Sequence, residues 1–376
     1  MSRNALTKSS ARKLKISHAW LEKQLTRAFF ETRKGKLRTR DEFMFEAFWK
    51  KRIAWLTNDI VNRHYKPRRG IAFIVTKPVR REIFAASFRD RLVHRLIYDM
   101  CYDWWDRRFI ERSFSCRKYK GTLYGIKCFQ KDMRQVTLGG KRKGHVLKFD
   151  LEGYFMSLSR QRLFDRAIAG AKVQFPHGGD KFQLLKYLWH EVIFDDPVDG
   201  VRIRPSVGEW GDLPSTKSLF CQPLGFGIVI GNLSSQLLSN IYLDQFDRFV
   251  TMTLGYKHYG RYVDDFYIVV TEEELPQALV DAGVIRDYLR SIGLKLHPKK
   301  FYIQPIEHGC EFLGMRVFIN CLLPSKRFKG NAYAAMEGFL LGIKKAESII
   351  SYMGYSTHMN AHKFIKKILS KGGIEY

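Results

Sequence analysis

Apolar positions along this chain recur with two different periods, and the switches between them mark out the elements. Through residues 1–66, Ala19-Trp20-Leu21, Phe29-Phe30, Phe43, Phe45, Phe48-Trp49, Ile53-Ala54-Trp55 and Ile60-Val61 return at roughly helical spacing. This predicts a basic helical stretch whose aromatics pack into a core. Ile71–Val75 and Arg81–Ala86 are short apolar runs on either side of Lys77-Pro78, a strand–turn–strand pattern. A helix is expected from Phe88 through Leu92, Ile97 and Met100 to Trp104-Trp105. Further helices are expected over Phe182–Val192, Ser234–Val250 and Leu275–Leu296, with a Gly/Pro-punctuated loop over Asp195–Ser218. After Glu311-Phe312-Leu313-Gly314 the sequence turns Lys-rich and helical to its end.

Two strand-like segments end in acids. Residues 256–270 place Tyr262-Val263-Asp264-Asp265 between segments rich in β-branched and aromatic residues, which reads as a hairpin with the acids at its tip. Upstream, His145-Val146-Leu147-Lys148-Phe149-Asp150 reads as a second strand delivering a carboxylate at its end. Like charges side by side require a cationic partner, and hard divalent ions prefer oxygen ligands. Carboxylates brought to one point by two strands are what a two-metal phosphoryl-transfer site needs.

Composition narrows the partners. Lys+Arg total 65 against 37 Asp+Glu, a net charge of +28. Such an excess repels itself unless a polyanion is bound, which points to nucleic acid and only weakly to an acidic membrane surface. With 45% hydrophobic and 14% aromatic residues the chain is not disordered, and 376 residues exceed one small core. The six cysteines show no Cys-x-x-Cys pair and suit buried thiols in a reducing compartment. No apolar run spans a bilayer and no signal-peptide hydrophobic region begins the chain, so a cytoplasmic protein is expected.

Taken in order, the segments from about Ile71 to Val317 resemble the bacterial reverse transcriptases, most of all those of diversity-generating retroelements and the related defence-associated group. Arg80–His94 is similar to the first fingers segment of that family, and Phe114–Thr122 to the second. Asp150-Leu151-Glu152-Gly153-Tyr154-Phe155 and Tyr262-Val263-Asp264-Asp265 are similar to its two acidic motifs. Ile230-Gly231-Asn232-Leu233-Ser234-Ser235-Gln236 departs from the common pattern: Ile230 stands where many members have Gln, and Gln236 where they have Pro. Both departures resemble the diversity-generating and defence groups. Gly293–Lys300 and Cys310–Arg316 are similar to the segment after the catalytic hairpin and to the hairpin that grips the primer end.

The resemblance implies an α+β right-hand polymerase fold with an antiparallel palm sheet. It divides the chain into a basic helical extension (1–66), fingers (67–144), palm (145–160), an insertion (161–220), palm with primer-grip hairpin (221–317) and a helical thumb (318–376). Asp150, Asp264 and Asp265 are implied as catalytic, and together with Leu151 as the positions that bind two Mg²⁺. Lys77, Arg81, Gly153, Tyr154, Phe155, Ile230, Gly231, Gln236 and Lys300 are implied at the nucleotide. Among these, Phe155 would wall off the 2′-hydroxyl and Lys300 would protonate pyrophosphate. Arg117, Lys118, Tyr262, Phe312, Leu313 and Gly314 are implied at primer and template.

The expected activity is RNA-directed DNA polymerisation with a dedicated structured RNA, DNA product or primer and dNTPs, in anti-phage defence or in a diversity-generating retroelement. An accessory protein or a homo-oligomer is compatible with this. A non-catalytic RNA-binding protein on the same fold is the alternative; the intact acids argue against it. Phe155 argues against RNA synthesis.

Overall fold

The computed structural model describes residues 13–35, 38–76, 79–204, 210–211 and 213–373. In chain order the elements are α1 (His18–Arg33), α2 (Arg40–Glu46), α3 (Trp49–Val61), β1 (Ile71–Val75), β2 (Arg81–Ala85), α4 (Phe88–Asp106), α5 (Thr122–Val136) and β3 (Gly144–Asp150). Then follow α6 (Tyr154–Ser157), α7 (Arg160–Gln174), α8 (Gly179–Ile193), β4 (Arg202–Ile203), α9 (Leu233–Arg248), β5 (Tyr259–Tyr262) and β6 (Asp265–Thr271). The last are α10 (Leu275–Ser291), β7 (Tyr302–Pro305), β8 (Cys310–Phe312), β9 (Met315–Val317), β10 (Leu322–Pro324), α11 (Lys326–Leu340), α12 (Ala346–Ser356) and α13 (His362–Lys371). They form two compact units, 1–109 with 153–244 and 110–152 with 245–376.

In the first unit the starts of α1, α4 and α7 are set by hydroxyl caps. Ser17, Ser87 and Ser159 each accept a bond from the backbone N–H three residues on, satisfying donors that the first turn leaves open. Leu21, Leu25 and Phe29 of α1 are buried, with Phe29 stacked on Trp49 at 5.3 Å and edge-on to Phe88 at 6.0 Å. The expected aromatic core holds only for part of this stretch. Phe30, Phe43, Phe48 and Trp55 face outward, because helical periodicity does not say which face finds a partner. β1 and β2 form an antiparallel hairpin on either side of Lys77-Pro78, which lies outside the described residues. β4, within the expected loop, pairs parallel with β1. In the insertion α7 also forms, burying Leu163, Ala167, Ile168 and Ala171 on one face.

In the second unit β5-β6-β3-β7 make an antiparallel sheet. Phe129 and Met133 of α5 pack on it with Tyr267, Phe312 and Met315. α10 stops at Ser291 rather than Leu296 because Gly293, at φ +83°, takes the left-handed conformation that ends a helix. Residues 318–376 are not wholly helical, since β10 completes the sheet β10-β9-β8. All six cysteines are free; Cys101 and Cys310 are buried, but Cys116 and Cys221 are exposed. Among the described residues no helix is long and apolar enough to cross a membrane.

Candidate active site

The acidic hairpin is closed by Tyr262 opposite Asp265, leaving Val263-Asp264 as a two-residue loop. Val263 sits at φ +60°, a conformation that a β-branched side chain adopts at a cost of order 1–3 kcal/mol. What holds it there is Arg261, fully buried, whose Nη1 donates to the Val263 carbonyl at 2.9 Å. The same guanidinium forks onto Asp247 through Nε–Oδ1 (2.7 Å) and Nη2–Oδ2 (2.6 Å), and reaches Ser113 Oγ at 3.1 Å. The Tyr259 hydroxyl donates to Asp247 as well, at 2.6 Å.

β3 lies beside β6 in a register that places Asp150 opposite Asp265 and stacks Phe149 on Phe266 at 4.7 Å. Beyond the strand end, Leu151 N–H donates to the Asp264 carbonyl (3.1 Å) and His297 N–H to the Asp150 carbonyl (2.8 Å). The three acids are therefore delivered by a rigid sheet and its first loop. Each strand acid carries a lysine: Lys300 Nζ lies 2.8 Å from Asp150 Oδ1, and Lys148 Nζ lies 3.1 Å from Asp265 Oδ2.

Burial pushes the Asp265 carboxyl up to about 6; the Lys148 charge opposes that shift, while Asp150 and Asp264 reinforce it. Among the described residues no three His, Cys, Asp or Glu side chains are grouped so as to enclose an ion. The donor set nevertheless fits hard divalent cations. Asp265 Oδ1 is buried without a hydrogen-bond partner, all the donors are oxygens, and the clustered carboxylates raise one another's need for positive charge.

Lys300 is thus ion-paired with Asp150. Tyr262 is half-buried, within 3.5 Å of Thr122 Oγ1. Two residues expected at primer and template are turned inward in this structure. Arg117 is buried and donates to the Ile110 and Ser113 carbonyls, so it fastens its own loop; the outward side chains there are Lys118 and Tyr119. Phe312 is 1% exposed and belongs to the core, leaving Leu313-Gly314 as the turn between β8 and β9. Leu313 at φ +49° and Gly314 at φ +88° give the doubly left-handed loop that suits a hairpin.

In the first unit Arg81 is exposed at the start of β2. Gly153 sits at φ +54°, where a Cβ would meet the Thr216 carbonyl oxygen at 2.6 Å. Tyr154 is buried, its hydroxyl donating to the Ser239 carbonyl at 2.6 Å, so only its backbone is available to a ligand. Phe155 and Ile230 pack against one cluster, around Ala72, Phe84, Met156 and Leu219. Gly231 (φ +121°) and Gln236 are exposed. Lys77 lies outside the described residues. Lys148, Arg261 and Asp247 were not picked out from sequence. The two-residue spacing of Lys148 from Asp150 is a signal for the first; nothing local marks the pairing of Arg261 with Asp247.

No curated protein sequence matches the chain. Among solved structures it is similar to telomerase from Candida albicans and from Candida tropicalis, each in complex with the TWJ fragment of telomeric RNA. Identity is 12% in both, with TM-scores of 0.45 and 0.46 over 88% of this chain. The chain spans only 58% and 59% of those telomerase chains. The profile of the family described as reverse transcriptase (RNA-dependent DNA polymerase) matches residues 76–317, well over half of the 376 residues. With its mixed α+β architecture and antiparallel acid-bearing sheet, the chain belongs to the reverse transcriptase family.

Proposed function

We propose that this chain copies RNA into DNA with two Mg²⁺ ions, and that it works with a dedicated structured RNA. The observation that carries the reading is the register of Asp150 against Asp265, with Asp264 in the adjoining loop. Asp150, Asp264, Asp265 and the Leu151 carbonyl would bind the ions. When bound, the ions would lower the pKa of the primer hydroxyl and neutralise the charge that develops on the phosphoryl and leaving oxygens. The primer 3′-hydroxyl gives up its proton to solvent as its oxygen attacks the α-phosphorus, the bond to the bridging oxygen breaks, and pyrophosphate leaves. Lys300, already at the acids, is the group that donates a proton to that leaving group. Arg81 would neutralise the triphosphate, Gly153 and Tyr154 would offer it backbone N–H groups, and Phe155 would exclude a 2′-hydroxyl. The Leu313-Gly314 turn would meet the primer backbone.

The net charge of +28 exceeds what one nucleotide site needs, and its flanking share in 1–66 and 324–376 suits a folded RNA. Ile230 and Gln236 support a place among the diversity-generating or defence-associated enzymes. The test is extension of a DNA primer on an RNA template with Mg²⁺ and dNTPs by the purified protein, together with sequencing of the RNA that copurifies. Extension and one dominant transcript are expected. No extension on any primed template removes the polymerase reading, and a random transcript mixture removes the dedicated RNA.

A further inference from the structure

α2, α3 and the N-cap residue between them carry aromatics that neither the core nor the candidate active site uses. Phe43, Phe48 and Trp55 are 60%, 62% and 58% exposed. Leaving three large rings in water is unfavourable, and the basic side chains between them make an ordinary protein–protein core an unsuitable cover, because such cores are poor in lysine. Lys51 Nζ stands 5.0 Å from the Trp55 ring centroid and Lys50 Nζ 5.7 Å from that of Trp49. Neither lysine is ion-paired with a carboxylate among the described residues. The nearby acids are engaged elsewhere: Glu46 with Arg33 and Arg38, Asp41 with the Phe88 N–H, while Glu42 is buried. Phe48 is the N-cap residue of α3, and Lys51 and Trp55 follow it within the helix four residues apart, on one side. Seven residues at 1.5 Å rise span about 10 Å, the length of about three stacked bases.

We propose that Phe48, Lys51 and Trp55, with the exposed Phe43 of α2, form a stacking surface for an unpaired segment of RNA. The rings would take base faces and the lysines the phosphates between them, which is how single strands are bound without base readout. That the strand is RNA rests on the polymerase reading; that it is an unpaired polyanion rests on the surface itself.

The test uses a fluorescently labelled 12-nucleotide oligouridylate and an RNA duplex of equal length, with no dNTPs present. The side chains are exposed, so the doubly substituted Phe48→Ala/Trp55→Ala protein should keep its melting temperature. Its affinity for oligouridylate should fall at least about tenfold, with duplex binding unchanged within about twofold. Lys50→Gln/Lys51→Gln should weaken both ligands. Unchanged oligouridylate affinity, or equal loss for the duplex, overturns the proposal. So does a change of molecular mass in light scattering without a change in RNA binding, which would make the face a protein interface. A chain that shows aromatic-dependent binding but never extends a primer would refute the polymerase reading and leave this surface standing.

Discussion

Arg261 and Asp247 form a buried two-pronged ion pair whose remaining guanidinium nitrogen reaches the Val263 carbonyl. A strained loop residue and the acid that follows it are thereby tied to a charge pair that cannot shift without exposing a bare carboxylate. Removing one partner of a buried pair costs about 3–5 kcal/mol, much of it the penalty on the charge left behind. Arg261→Gln should therefore lower the urea midpoint markedly, and the protein that remains folded should extend primers more slowly. Arg261→Lys keeps the charge but loses the fork, so it should fall between the two. Denaturation curves and extension rates per folded molecule check this; a midpoint unchanged by Arg261→Gln contradicts it.

Gly153 offers a cleaner backbone test. Its φ of +54° and the Thr216 carbonyl oxygen 2.6 Å from where a Cβ would stand leave no room for a methyl group. An alanine pays about 1–2 kcal/mol for the left-handed conformation alone, before the clash with an unyielding backbone atom. Gly153→Ala should lower the melting temperature by several degrees and slow nucleotide incorporation. A melting temperature equal to wild type would show that the turn relaxes.

The hairpin and the strand before it were legible because β-branched and aromatic residues flank their acids. The same reading missed Lys148, whose contact with Asp265 depends on strand register, and it could not show the carbonyls that turn Arg117 inward. Phe48 and Trp55 show the limit of periodicity: it gives the helix and not which face is covered. α7 was missed because its buried face is built largely from alanine and glycine between charged residues.

If Phe155 walls off the sugar, Phe155→Ala should accept ribonucleotides far more readily while leaving deoxynucleotide incorporation largely intact. Its half-buried place at the edge of the cluster around Phe84 and Met156 makes this shortening tolerable to the fold. Matched single-nucleotide incorporation of ribo- and deoxy-forms by both proteins reads the ratio. An unchanged ratio makes Phe155 a packing residue.

Ile230 presents an alkyl surface where a Gln side chain would offer a hydrogen bond. A polar contact of that kind in a desolvated pocket is worth about 1–3 kcal/mol. Wild-type protein should therefore copy with relaxed fidelity, and Ile230→Gln should reduce misincorporation by up to about tenfold. Error spectra from one defined RNA template decide it; identical spectra would leave Ile230 as packing around Phe84 and Met156.

The central claim is that Asp150 and Asp264 bind the ions that make this chain a polymerase. Primer extension on a defined RNA template by wild type, Asp150→Asn and Asp264→Asn, each with a melting curve and an RNA-binding isotherm, tests it most directly. Extension should be lost in both variants, with melting temperature and RNA affinity nearly unchanged. Wild-type extension by Asp150→Asn would contradict the account.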